Sequence, residues 1–208
     1  MDAQLINWQL LESIGLGLGL GVAAGFRVVV PFWVLSGAAL FGPLQLADNM
    51  TWLGTTTAFV GLSIALVVEI LAYSIPWLDN TIDTVALPIA AVAGTLLMAI
   101  AANQLDPFAQ WSVAIVAGGG VAATVKGLNG LTRLVSTATT GGATNLIVAG
   151  VELIGAIVIS LLALLVPVVV FVAVLAFFIL LVRFAIKAFY RSKQSAAGEP
   201  QTSVSDGE

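Results

Sequence analysis

The 208-residue chain contains no cysteine and no histidine. Their absence excludes disulfides, thiolate zinc sites, cysteine nucleophiles, imidazole bases and histidine-ligated haem. A metal site would have to be built from carboxylates and carbonyls alone. Charge is scarce too, at 9% of residues, against about a quarter in soluble domains. So few charges cannot cover a water-facing surface. The formal net charge is −4, with the acids mostly in loops and the tail. No basic patch is present, so nucleic acid is not expected as a partner. The opening "MDAQLINWQLLES" has no Lys or Arg. It therefore lacks the basic region of a signal peptide and is expected to be retained.

What the chain does have is apolar residue in long spans, 60% of the total. The solvent for most of it is lipid. Six segments divide at recognisable breaks. The first runs from about 13 to 41 and contains Pro31. "GPLQLADNM" follows as a polar loop, then segment two over about 51–75 and the polar "PWLDNTIDT". Segment three covers about 85–102, with Pro88 near its start, and "NQLDPF" follows. Segment four spans 111–135, ahead of the loop "STATTGGATN". Segments five and six cover about 146–166 and 167–190. Each approaches or exceeds the roughly 20 residues of a spanning helix, and lipid leaves helices as the form for an open segment. No polar turn separates the last two. One helix from 146 to 190 would be about 68 Å long, over twice the hydrocarbon thickness. The chain must turn, and Pro167 is the available breaker.

The expected fold is all-α, a polytopic helical membrane protein of about six transmembrane helices. Residues 1–12 form a cytoplasmic N-terminal segment, 13–190 a single transmembrane domain, and 191–208 a polar, disordered cytoplasmic tail. Arg183, Lys187, Arg191 and Lys193 cluster at the end of segment six, which places the C-terminus in the cytoplasm. Six spans place the N-terminus there as well. Arg133, near the end of segment four, falls on the same side.

Two phrases suggest a duplication. "GVAAGFR" ends at Arg27 in segment one, and "GVAATVK" ends at Lys126 in segment four. They share four consecutive residues and close on a cation. Three spans per half, about 13–104 and 108–190, would make a 3+3 inverted repeat with the site near the midplane. Chance is the alternative, since Gly, Ala and Val are common in spans. A mid-bilayer cation costs at least about 2.5 kcal/mol on insertion scales. Arg27 and Lys126 therefore each need an anion, carbonyls or water. Glu69 and Glu152 are the candidate partners. The four line a polar pathway or only neutralise one another.

Asp79 and Asp83 stand four apart in "PWLDNTIDT" and form a cytoplasmic-side acidic pair on one face of a short helix. They call for a cation or lie in a solvated interfacial loop. Gly17, Gly21 and Gly25 recur every fourth residue, and Gly118, Gly119 and Gly120 stand together in segment four. Such small residues let helices approach closely. Segments one and four are expected to cross there, with a homodimer face as the alternative. Segments one and four are also the Gly-rich places where a helix can break, "AGGGVAA" above all.

These residues carry a resemblance. "GLGVAAGFRVVVPFWVL" followed by "EILAYSIPWLDNTIDTV" resembles a bacterial multispan membrane family known only as a domain of unknown function, DUF4126. Gly25, Arg27, Pro31, Glu69, Ala72, Pro76, Asp79, Asp83, Asn145 and Glu152 match its pattern. Leu153 and Val166 depart from it, where the family tends to have an acidic residue and a histidine. The resemblance implies an integral protein of the bacterial inner membrane and no established activity.

Three function classes follow. The first is a small transporter or channel-like protein for a small anion or anionic headgroup, with Arg27, Lys126, Glu69 and Glu152 as its pathway. The second is a structural or assembly protein with permanent ion pairs. An intramembrane enzyme is least favoured, since two isolated glutamates are all its chemistry could use. No cofactor is expected; the partners are the lipid bilayer, a small solute and a second copy of the chain.

Overall fold

A computed structural model of the chain describes residues 8–42, 44, 46, 48–73, 76–141 and 144–197; the side chains of 48, 49, 76–84 and 190–197 lie outside this description. All regular structure among these residues is helical. The α-helices are α1 (Trp8–Phe26), α2 (Val29–Phe41), α3 (Thr56–Tyr73), α4 (Pro76–Ala101), α5 (Pro107–Val113), α6 (Gly120–Thr140), α7 (Asn145–Leu165) and α8 (Pro167–Ala197). A 3₁₀ segment, Asp48–Gly54, precedes α3, and a π-helical segment, Ala114–Gly119, joins α5 to α6. Five stretches are long and apolar enough to cross a membrane: 8–26, 56–73, 107–140, 145–165 and 167–189. Val29–Phe41 and Val85–Ala101 are shorter apolar helices. The protein is a polytopic helical membrane protein.

The first apolar segment is two helices, not one. The Arg27 amide still donates to Ala23 O at 2.9 Å, and the helix restarts at Val29. Proline explains the position. Its ring collides with the carbonyl four residues earlier and it lacks an N–H. For Pro31 that carbonyl belongs to Arg27. The break therefore falls at the arginine, and Pro31 itself sits in the first turn of α2, where proline is tolerated.

Two polar stretches join the helices: the one expected to open a short helix does so within α4, and one expected as a loop extends α6. Pro76 begins α4, so "PWLDNTIDT" forms its first turns. Ser136–Thr140 continue α6 up to Gly141, whose φ of 63° closes the helix in the left-handed region. Segments five and six do part at Val166–Pro167. Helix α8 continues beyond Tyr190 to Ala197, so the start of the expected tail is helical.

The chain divides into two units, residues 1–172 and 173–208. In the first, α1 is the central helix. Its glycines meet different neighbours on different faces. Gly15 lies against the Pro167 backbone and Gly19 against Ala163 and Val170. Gly17 faces Met98 and Ala101 of α4, while Gly21 faces Gly118 and Gly25 faces Ala122 and Val125. Between helices in lipid, such close backbone approach replaces the hydrophobic effect as the source of cohesion. The core so formed includes Leu20, Ala24, Leu35, Leu97, Ala122 and Ala163. Helix α3 stands apart in character: 6% of its span is buried. It touches α2 through a stacked Trp33–Phe59 pair and a Trp33 Nε1 bond to Ser63 Oγ at 2.9 Å. The described part of the second unit is the continuation of α8. It is apolar through Phe189 apart from Arg183 and Lys187.

Candidate functional site

Helix α6 carries a polar stripe. Lys126, Asn129, Arg133 and Ser136 follow one another at steps of three, four and three, so they share one face. That face is turned inward: Lys126 is 4% exposed and Arg133 also 4%. Asn129 Nδ2 donates to Gly25 O at 3.3 Å, which ties the stripe to the end of α1. Ser136 Oγ donates to Asn145 Oδ1 at 2.7 Å and bonds Thr144 Oγ1, which pins α6 to the start of α7.

Arg27 enters from the α1–α2 break and is 3% exposed. Its Nη2 donates to Ala149 O at 3.1 Å, and its Nε lies 3.9 Å from Glu152 Oε2. Its Nε and Nη1 are buried with no hydrogen-bond partner. Glu152 belongs first to Arg133, whose Nε and Nη2 donate to its two oxygens. That fork-to-fork geometry is the strong form of the pair.

The centre of the cluster is a residue that the sequence did not single out. Tyr73, the last residue of α3, is buried. Its ring lies 3.9 Å from the Arg27 guanidinium carbon, 5.0 Å from that of Arg133 and 5.2 Å from Lys126 Nζ. All are within reach of a cation–π attraction. Lys126 Nζ also donates to the Tyr73 hydroxyl at 3.1 Å. One aromatic side chain thus collects three cations, two from α6 and one from a helix break.

Glu69, one turn before Tyr73, points to the break and not to a cation. Its Oε1 accepts from Val28 N at 2.9 Å and its Oε2 from Val29 N at 3.4 Å. It caps α2 from another helix.

Of the expected pathway residues, Arg27, Lys126 and Glu152 come together around Tyr73, with Glu69 alongside. The expectation that Glu69 neutralises a cation directly needs correcting: its oxygens are taken by backbone amides. Arg133, expected at the cytoplasmic end of a span, is buried in the cluster because α6 runs on to Thr140. The spacing of the α6 stripe was the available signal. Asp79 and Asp83 lie on the first turns of α4, and their side chains are outside the described residues. Gly17, Gly21, Gly25, Gly118 and Gly119 all lie against neighbouring helices. Gly120 does not: a Cβ there would meet nothing within 4 Å. "AGGGVAA" does not unwind; its glycines sit at the end of the π segment.

Among the described residues, no three acidic side chains gather as they would to hold a metal ion. A groove of about 410 Å³ between α2 and α4 is lined by Val28, Phe32, Pro88, Ile89, Val92, Ala93 and Leu96. It is apolar throughout and distinct in chemistry from the charged cluster. The cluster gathers two guanidinium groups and one ammonium around an aromatic ring, and of their nitrogens Arg27 Nε and Nη1 are buried without a hydrogen bond.

No curated protein and no solved structure matches the chain. A family model described as "Domain of unknown function (DUF4126)" matches residues 14–187. The chain belongs to that family.

Proposed function

We propose that this protein is a small transporter or channel-like protein whose central charged site takes a small anion or an anionic headgroup. Arg27 is the observation that carries the reading. A buried guanidinium with two unpartnered nitrogens bears a desolvation cost that an acceptor from a ligand would remove. The two glutamates of the site are committed elsewhere, Glu152 mainly to Arg133 and Glu69 to two amides. Irregular backbone in each half supports the 3+3 repeat: the α1–α2 break beside Arg27 and the π turn ahead of Lys126. In this reading the protein sits in the bacterial inner membrane with both termini in the cytoplasm. A second copy packs on the exposed apolar helices. The protein is not an enzyme.

A structural or assembly role is the second reading, and the closed Arg133–Glu152 pair favours it, since permanent pairs only satisfy themselves. Water access separates the two. Replacing Arg27 and Lys126 singly by cysteine uses a chain that has no other. The variants are reconstituted in sealed vesicles and treated with a small, membrane-impermeant thiol reagent. Labelling at both positions in folded protein is the expected result, slowed by added chloride or phosphate at position 126, where Arg27 is intact. No labelling at either position would leave the assembly role.

A further inference from the structure

The seven cations of the chain fall into two groups. Arg27, Lys126 and Arg133 are buried in the cluster. The others, Arg183, Lys187, Arg191 and Lys193, all stand on α8. No acidic residue occurs from 153 to 198, so α8 contains no counterion of its own. Arg183 and Lys187 are exposed. Among the described residues neither side chain has an ion pair or a hydrogen bond.

These cations continue an apolar row. Leu175, Ile179, Arg183 and Lys187 recur at every fourth position and are all exposed, one slanting ridge of the helix. Arg191 holds the next place at the same step. Along this ridge the helix passes from apolar to cationic, the order in which a phospholipid passes from acyl chain to phosphate. The depth fits as well. The apolar span of α8 ends at Phe189, and the helix runs on to Ala197. From Arg183 to Arg191 it rises about 12 Å. The headgroup layer is about 5–8 Å thick on each side of the bilayer, so the cationic row crosses it. Arg183, the deepest of the three, has a stem long enough to carry its charge outward.

We propose that Arg183 and Lys187, continued by Arg191, form a binding site for the phosphate of an anionic phospholipid, with Leu175 and Ile179 along its acyl chain. The site shares no residue with the central cluster and does not rest on the anion reading above. A basic segment at the end of a membrane span attracts lipids of net negative charge. A zwitterionic lipid brings its own ammonium group, which the row repels. The helix holds the cations at fixed spacing, which makes this a site for one lipid and not a diffuse positive charge.

The test uses the full chain, purified in neutral detergent and titrated with phosphatidylglycerol or phosphatidylcholine in mixed micelles. Bound lipids are counted by native mass spectrometry, which gives the affinity of the first lipid bound. Wild type should hold phosphatidylglycerol at least about five-fold more tightly, the scale of one Lys or Arg beside an anionic surface. The double variant Arg183→Gln with Lys187→Gln should bind the two lipids equally. Arg183→Lys keeps the charge and should keep the preference. Should the double variant fail to insert, Lys187→Gln alone carries the comparison, with a partial drop. Equal affinities in wild type would overturn the site. A preference undiminished by neutralising these cations would put the headgroup elsewhere, the central cluster included, and would overturn it too.

Discussion

Tyr73 offers one ring and one hydroxyl to three positive side chains, and the residue-scale energetics follow from how those charges are shared. Arg133 and Glu152 form the most closed pair. Removing one partner of a buried pair strands the other, at about 3–5 kcal/mol. Glu152→Gln should therefore lower the melting temperature sharply in detergent. The double variant Arg133→Met with Glu152→Leu should recover most of that loss, because replacing both partners by apolar groups is often neutral or better. Tyr73→Phe keeps the ring but removes the hydroxyl that accepts from Lys126. Its expected cost is about 1 kcal/mol, read by the same melt, whereas Tyr73→Leu should cost more by removing the face that Arg27 lies on at 3.9 Å.

At the scale of elements, glycines that look alike in sequence have opposite roles. A Cβ on Gly25 would lie 2.6 Å from Val125 Cβ and 2.8 Å from Ala122 O, and the carbonyl cannot yield without moving the helix. Gly25→Ala should cost about 1–3 kcal/mol. Gly120→Ala, facing open space, should be neutral or stabilise the helix by up to about 1 kcal/mol. Paired thermal melts of the two variants check both. The π segment leads to a further expectation. A π turn holds one residue more than an α turn needs. Deleting exposed Ile115 should tighten it and leave Lys126 and Arg133 in register. Deleting exposed Leu131 should swing Arg133 about 100° from Lys126 and abolish folded protein, as size-exclusion chromatography would show.

The elements also show why part of the site was legible and part was not. Pro167 stood alone in an unbroken apolar run, so the turn between α7 and α8 could be placed. Pro31 was equally visible, but its effect is felt four residues earlier, which put the break at Arg27 rather than at the proline. The burial of Arg133 was hidden because Ser, Thr and Gly after it read as a loop; α6 continues through them to Thr140. The stripe Lys126, Asn129, Arg133, Ser136 was there to be counted, polar residues at helical spacing inside a lipid span. Tyr73 carried no such mark. Its importance comes from three contacts made across distant segments, and no local pattern encodes those.

For the whole molecule, orientation is the expectation that the apolar helices leave to experiment. Reporter enzymes fused ahead of Met1 and after Glu208 should both be active on the cytoplasmic side of a bacterial inner membrane. Opposite locations would contradict the six-span expectation. The wide exposure of apolar side chains on α3 and α7 predicts that the purified protein aggregates when detergent is diluted, and stays dispersed in nanodiscs.

The chain has only two tyrosines. One, Tyr73, touches all three cations of the cluster; the other, Tyr190, belongs to the far end of α8. Biosynthetic 3-fluorotyrosine would therefore give a fluorine spectrum of two resonances, without a single mutation. The Tyr73 line sits beside all three cations of the cluster, so its chemical shift is a built-in gauge of whatever enters.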